Sequence, residues 1–171
     1  CSPKHTFSKL NQASIRFIAG FGVENDAHAG KLVKHLSRVA QDPNKPNFRQ
    51  VYLIQSELFD ELLTKGFQVI PGQMGENITT KGIGLLNLPK NTILQIGGSA
   101  KIQITGLRSP CAQLDGIKEG LMKAVLDKDS NGEIIRKSGI MAIVIESGEI
   151  KPNDLIKVEL PNEPFEKLQP V

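Results

Sequence analysis

Lys101-Ile102-Gln103-Ile104-Thr105-Gly106-Leu107-Arg108-Ser109-Pro110-Cys111 is the stretch that decides how this chain folds. Its first five residues alternate polar and apolar with a period of two, the pattern of a strand with one face buried and the other wet. Pro110 then fixes its own φ and pushes Ser109 towards an extended backbone, so Cys111 is presented on a stiff, irregular connection. The period of two returns in Ile156-Lys157-Val158-Glu159-Leu160. Arg49 to Ile54 reads as another strand, with Val51 and Leu53 on one side and Tyr52 and Ile54 on the other. Ile140 to Ile145 is an unbroken apolar run, short enough for a strand buried on both faces. Gly97-Gly98, Asn131-Gly132 and Ser147-Gly148 punctuate these runs as turns. Many short strands separated by such turns predict a mainly β fold, a barrel or a sandwich, with a few helices.

Two helices are expected. In the first, Ser56 can cap, Leu58, Phe59, Leu62 and Leu63 make one apolar face, Glu61 and Lys65 pair at i, i+4, and Gly66 is the stop. In the second, Asp115 can cap, with Ile117, Leu121, Met122 and Val125 facing inward. The second starts just after Cys111. The segment from Gln41 to Asn47, with Pro43 and Pro46, reads as a loop, and Pro161 to Val171, with three prolines, as a tail on the surface.

The 171 residues fit one domain, and 39% hydrophobic with 23% charged residues excludes a disordered chain. A net charge of +3 spread along the chain is too little to predict nucleic-acid binding, yet leaves room for a basic pocket holding a small anion. No apolar run is long enough to span a bilayer, and no secretory signal pattern is present, so no membrane partner is expected. Cys1 and Cys111 are the only cysteines. A cytoplasmic, reduced chain is the better reading of so few, and no Cys-x-x-Cys writes a zinc-ribbon or iron–sulfur site.

Three segments carry the candidate chemistry. Around Cys111, Arg108 favours the thiolate, the form that attacks electrophiles or binds a soft metal; the alternative is an inert cysteine acting as a small hydrophobe. In Gly72-Gln73-Met74-Gly75-Glu76-Asn77-Ile78-Thr79-Thr80-Lys81-Gly82, Gly75 suits φ > 0 or close approach of a ligand, while Glu76, Asn77 and Thr79 offer hydrogen bonds; a self-satisfied turn is the alternative. No Gly-Lys-Ser/Thr closes it, so it is not a Walker loop. In Gly20 to Gly30, Asp26 and His28 suit acid–base work or ligand orientation, set against a structural histidine. Zinc on His28, His35 and Cys111, or a Cys111–His28 hydrolase pair, has no support in the spacing.

Taken together, these segments resemble the MOSC family, named for the C-terminal domain of molybdenum-cofactor sulfurase. The likeness runs through Gly22-Val23-Glu24-Asn25-Asp26-Ala27-His28-Ala29-Gly30, Arg49-Gln50-Val51, Pro71 to Thr80, Thr105 to Cys111, Arg136-Lys137-Ser138-Gly139-Ile140-Met141-Ala142 and the Asp154 segment. The family usually has glycine where this chain has Asn25 and Asn153. Asparagine tolerates φ > 0 best among the other residues, so both positions are expected to be left-handed turns. The resemblance implies a β-barrel of the MOSC type (similar to the pyruvate kinase β-barrel) over residues 1–160, with 161–171 as tail. It further implies molybdenum cofactor (molybdopterin), with Cys111 as the molybdenum ligand. Candidates to hold the cofactor are Arg49, Arg108 and Arg136 for its phosphate, and Gly75, Glu76, Asn77 and Thr79 nearby; Cys111, His28 and Asp26 are the catalytic candidates. The nearest likeness is to bacterial stand-alone members that reduce small N-hydroxylated compounds. The sequence holds no dinucleotide fingerprint, haem motif or iron–sulfur set, so the electrons are expected from a separate reductase. A carrier that passes on cofactor, or sulfur as a Cys111 persulfide, is the alternative role; a homodimer is compatible with either.

Overall fold

Two apolar cores lie on opposite faces of one curled sheet, and the alternation of side chains along its strands sends residues to each. The computed structural model describes residues 1–2, 7–34, 39–40 and 42–171. His35 lies outside them. The strands are β1 (Ile15–Ile18), β2 (Gly22–Val23), β3 (Val51–Gln55), β4 (Ile78–Thr80), β5 (Ile93–Ile96), β6 (Ala100–Leu107), β7 (Leu126–Lys128), β8 (Ile134–Arg136), β9 (Ile140–Glu146), β10 (Gly148–Ile150) and β11 (Ile156–Glu159). A six-stranded sheet has the order β11-β5-β6-β9-β3-β4, a three-stranded one β10-β1-β2, and β7 pairs β8 as a ribbon. The architecture is mainly β: the large sheet curls into a half-barrel of the expected type.

The alternating stretch behaves as its pattern requires. Ala100, Ile102 and Ile104 of β6 are buried while Lys101 and Gln103 are partly exposed. Register shifts between Lys101 and Ile102 and between Ile104 and Gly106, where β6 pairs β9, are bulges that bend the strand and curl the sheet. In β3, Val51 and Leu53 join one core with Phe17, Leu94, Ile102, Ile104 and Ile140. Tyr52 and Ile54 join the other, with Leu58, Phe59, Leu62, Met74, Leu114, Leu121 and Met141. Ile140 to Ile145 forms the expected strand, buried on both faces over Ile140–Ala142, though Ile145 is exposed at its end.

The first helix keeps the bounds its sequence suggests, and the second is shorter. α1 (Glu57–Thr64) buries Leu58, Phe59 and Leu62, each contributing about 1.5–3 kcal/mol. Leu63 is 59% exposed, and Ser56 occupies the cap position without a side-chain cap bond. Gly66 ends the helix at φ +82°, and Lys65 pairs Glu61 at 2.6 Å. The second expected helix is broken in two: a 3₁₀ turn over Ala112–Gly116, then α2 (Leu121–Ala124). Gly116 and a left-handed Gly120 at φ +87° separate them, and Asp115 Oδ1 accepts the Met122 N–H at 2.8 Å across the break. Asn25 and Asn153 both adopt φ > 0, at 60° and 71°.

The C-terminal end also departs from expectation. Leu168 is buried in the first core, the Leu107 N–H donates to Gln169 O, and the Val171 N–H donates to Leu107 O. Residues 168–171 therefore pack beside the end of β6 with Leu168 buried, while Gln169, Pro170 and the stretch before them stay on the surface. Gly106 lacks a side chain where Gln169 and Val171 pass, which is what admits them. Both termini thus meet elements that lead to Cys111 or to the Gly72–Thr80 loop. No described helix is long and apolar enough to cross a membrane.

Candidate functional site

Cys111 follows β6 after the Arg108-Ser109-Pro110 connection and takes extended backbone, φ −133° and ψ 163°, ahead of the 3₁₀ turn. Its carbonyl accepts the Leu114 N–H at 3.0 Å. The thiol is half-buried, reaches Gln113 Oε1 at 3.5 Å, and lies 3.9 Å from Arg108 Nη2. Both Cys111 and Cys1 are free thiols.

Arg108 is buried, 7% exposed. Its guanidinium lies over the Tyr52 ring, 5.0 Å from the centroid, and Nη1 donates to Ser109 O at 3.2 Å. Its backbone is pinned from both sides: its N–H donates to Gly139 O at 3.0 Å, and its O accepts the Ser138 hydroxyl at 2.8 Å. The Tyr52 hydroxyl in turn donates to Ser138 O at 2.6 Å. Burial pushes the Tyr52 phenol well above its usual range, so it remains a donor. The charges of Arg108, Glu76, Cys111 and Arg49 bear on it more weakly than burial does, and of these Arg108 lies against the ring.

Asp26 centres a second cluster. Oδ1 accepts the His28 backbone N–H at 3.0 Å and lies 3.3 Å from His28 Nδ1; Oδ2 accepts Asn77 Nδ2 at 3.0 Å and pairs with Lys9 Nζ at 2.9 Å. Burial alone would raise the Asp26 carboxyl. The hydrogen bonds from His28 and the Lys9 ammonium outweigh it and hold the group well below the usual carboxylate range. Asn77 links this cluster to the first, because its Oδ1 accepts the Tyr52 N–H at 3.0 Å and its own N–H donates to Tyr52 O at 2.8 Å. Glu76 is 3% exposed; Oε1 accepts the Gly72 N–H at 2.6 Å and the Thr79 hydroxyl at 3.1 Å, while buried Oε2 has no hydrogen-bond partner among the described residues.

This geometry carries a pH prediction. A carboxyl held low in the folded chain, against about 3.9 unfolded, stabilises above that pH and loses its contribution as pH falls through the folded value. Asp26→Asn also strands buried Lys9, so it should cost about 3 kcal/mol or more at pH 7. Chemical denaturation should show that deficit shrinking on acidification below about pH 4; a gap that is constant from pH 7 to pH 3 would contradict the assignment.

Of the residues singled out from sequence, Arg108 joins Cys111 to the Tyr52 ring, and Asp26, His28 and Asn77 form the adjoining cluster, with Thr79 bonded to Glu76. Gly75 takes φ +85° as expected, but the backbone that approaches it is the chain's own: a Cβ there would lie 2.6 Å from Phe7 O. The room at Gly75 is therefore filled by the N-terminal segment and does not cradle a ligand. Arg136 lies on the β7–β8 ribbon, with Nη1 3.5 Å from Ile134 O, and no described hydrogen bond or ion pair joins it to either cluster. Sequence reasoning missed Lys9, Tyr52 and Ser138. Tyr52 is the one tyrosine of the chain, set in an apolar strand, and that was the available signal. Lys9 offered none, because its partner is 17 residues on in a different turn.

The comparisons with known proteins bear on the family and the fold. The family model described as MOSC domain matches residues 25–157. No curated protein matches by sequence. Among solved structures, the YUAD protein from Bacillus subtilis is 20% identical at a TM-score of 0.78, over 94% of this chain and 92% of that one. YiiM from Escherichia coli is 18% identical at 0.61, over 90% and 65%, and YiiM from Geobacillus stearothermophilus 25% identical at 0.56, over 67% and 56%. The chain thus spans less than two thirds of either YiiM. These structural likenesses establish the fold.

Proposed function

This chain belongs to the MOSC domain family, and from that premise we propose that it binds molybdenum cofactor through Cys111 and reduces N-hydroxylated compounds. The observation that carries the reading is the thiol itself: half-buried, on a stiff connection, beside a buried guanidinium that no described carboxylate neutralises. The donor set fits the cofactor. A thiolate is a soft ligand suited to a thiophilic metal. Arg108 and Arg49 supply the positive charge that an anionic, phosphate-bearing group needs. Glu76 Oε2, buried and without a hydrogen-bond partner among the described residues, is an acceptor left for a pterin N–H.

When bound, the cofactor would supply two-electron oxygen-atom-transfer chemistry. The overall change is R–NHOH + 2 H⁺ + 2 e⁻ → R–NH₂ + H₂O. The chain's own part is to bind, orient and supply protons. Asp26 Oδ1 holds His28 by its backbone N–H and by Nδ1, which fixes the imidazole as the group to pass a proton to the leaving oxygen. Asn77 holds Asp26 against β3, so that the proton-carrying cluster keeps its place relative to Tyr52 and Arg108. The electrons come from a separate reductase, since the sequence holds no redox motif of its own.

Metal and pterin analysis of freshly purified chain, made in cells able to build the cofactor, tests the reading. Molybdenum and pterin near one per chain are expected; protein with neither, from such cells, would remove the basis for it. Loaded protein that never turns over N-hydroxylated substrates with a reductase present would keep the binding and move the role to carriage of the cofactor.

A further inference from the structure

Arg108 is an unusual buried cation. It is 7% exposed, yet among the described residues no carboxylate forms an ion pair with it. Burying a charge is costly unless partners replace water, and here, among the described residues, every partner of the guanidinium but the thiol is neutral: the Tyr52 ring at 5.0 Å and Ser109 O at 3.2 Å, while Gly139 and Ser138 hold the Arg108 main chain. The Tyr52 hydroxyl closes the ring of contacts through Ser138 O, in a fully buried bond of 2.6 Å. A carboxylate in place of the aromatic face would hold the guanidinium equally well, but the pair would then be close to neutral. A π face and carbonyl oxygens fix the orientation and leave most of the charge unspent.

We propose that Tyr52 and Ser138 are positioning residues for Arg108, the Tyr52 ring holding its guanidinium beside Cys111 Sγ and Ser138 anchoring both its main chain and the Tyr52 hydroxyl, so that its positive charge is kept for an anion bound at the thiol. Their action runs through Arg108; neither is a catalytic residue. The proposal rests on the molybdenum reading for the identity of that anion, an anionic sulfur- or oxygen-bearing cofactor, and on geometry alone for the positioning.

Two measurements test it separately. In the metal-free full chain, NMR of the Arg108 side chain reads the positioning directly. The Arg108 Nε–H is expected to exchange slowly with water and to be shifted by the Tyr52 ring current. Tyr52→Phe, which keeps the ring, should retain that shift; Tyr52→Leu should abolish it and speed exchange at least tenfold. An Arg108 signal unchanged in Tyr52→Leu would overturn the proposal. Should that variant fail to fold, Ser138→Ala carries the test, with faster Nε–H exchange expected and unchanged exchange counting against it.

The second measurement is retained pterin in Tyr52→Leu, Arg108→Ala and the double variant. If Tyr52 acts through Arg108, each single change lowers pterin content at least tenfold and the double is no worse than Arg108→Ala within twofold. Independent, multiplicative losses would assign Tyr52 a merely structural role and overturn the proposal. Wild-type chain without pterin would instead overturn the molybdenum reading, and the NMR measurement would then decide the positioning by itself.

Discussion

Cys111→Ser is expected to leave the fold in place while molybdenum and pterin content fall at least tenfold and reduction of N-hydroxylated substrate is abolished. The structural cost is small, within about 0.5 kcal/mol, because the side chain is half-buried and its contacts with Gln113 and Arg108 are long and weak. The chemical cost is large. A serine hydroxyl does not ionise near neutral pH and offers a hard oxygen where a soft sulfur suits the metal. Metal analysis by mass spectrometry, with a thermal melt on the same sample, separates the two effects. Wild-type molybdenum content or turnover in the variant would rule out Cys111 as ligand. Loss of metal with a collapsed melting temperature would show that the thiol was structural, the inert-cysteine alternative that its position on the chain also allows.

The second large effect is expected from Gly139→Ala, a change that touches neither the thiol nor a charged group. Gly139 holds φ +89°, and a Cβ there would collide with Leu53 O and lie 3.1 Å from Tyr52 Cε2. The left-handed backbone costs an alanine about 1–2 kcal/mol. The clash with β3 backbone, which cannot swing aside, brings the total to about 3 kcal/mol or more. For a chain of this size that lowers the melting temperature by roughly 6–12 °C. Gly132→Ala is the control: φ is +82° there too, but nothing lies within 4 Å of the added carbon. Its cost should stay near the backbone value alone, about 1–2 kcal/mol. Equal effects at the two glycines would mean that the close approach of β9 to β3 has no bearing on stability. The Gly139 carbonyl also accepts the Arg108 N–H, so any variant protein that folds should hold less pterin, whereas Gly132→Ala should hold as much as wild type.

How far these residues were legible beforehand depends on the range of the force involved. The half-buried strand at Lys101–Thr105 was legible because side-chain alternation is written into every pair of neighbours. The left-handed Asn25 and Asn153 were legible because φ > 0 selects among residue types at one position. The presentation of Cys111 followed from Pro110, which constrains only itself and the residue before it. The second helix was misread for the same reason: apolar spacing from Ile117 to Val125 suits a helix locally, but glycines at 116 and 120 and the Asp115–Met122 bond favoured a 3₁₀ turn and a single α-helical turn. The tail reads correctly as a surface segment, but its anchor at Leu168 was not legible, because nothing within Pro161–Val171 says that Gly106 has left room for it.

By itself, then, the sequence determined the class of fold, the backbone conformation at its turns, and the placing of one thiol on a rigid connection after a strand. It also supplied, through resemblance, the family that the chain proves to belong to. Only the tertiary structure decided what surrounds that thiol. The Tyr52–Ser138 bond spans 86 positions, the Asn77–Asp26 bond 51 and the Ser138–Arg108 bond 30. No local rule of periodicity or φ reaches so far. These pairs form because β3 and β9 lie side by side in one sheet and because the Gly72–Thr80 loop closes against Lys9 and Asp26. Burial then forces each polar group brought there to find a partner. Among the described residues, those that Arg108 found are an aromatic ring, a carbonyl oxygen and the thiol itself.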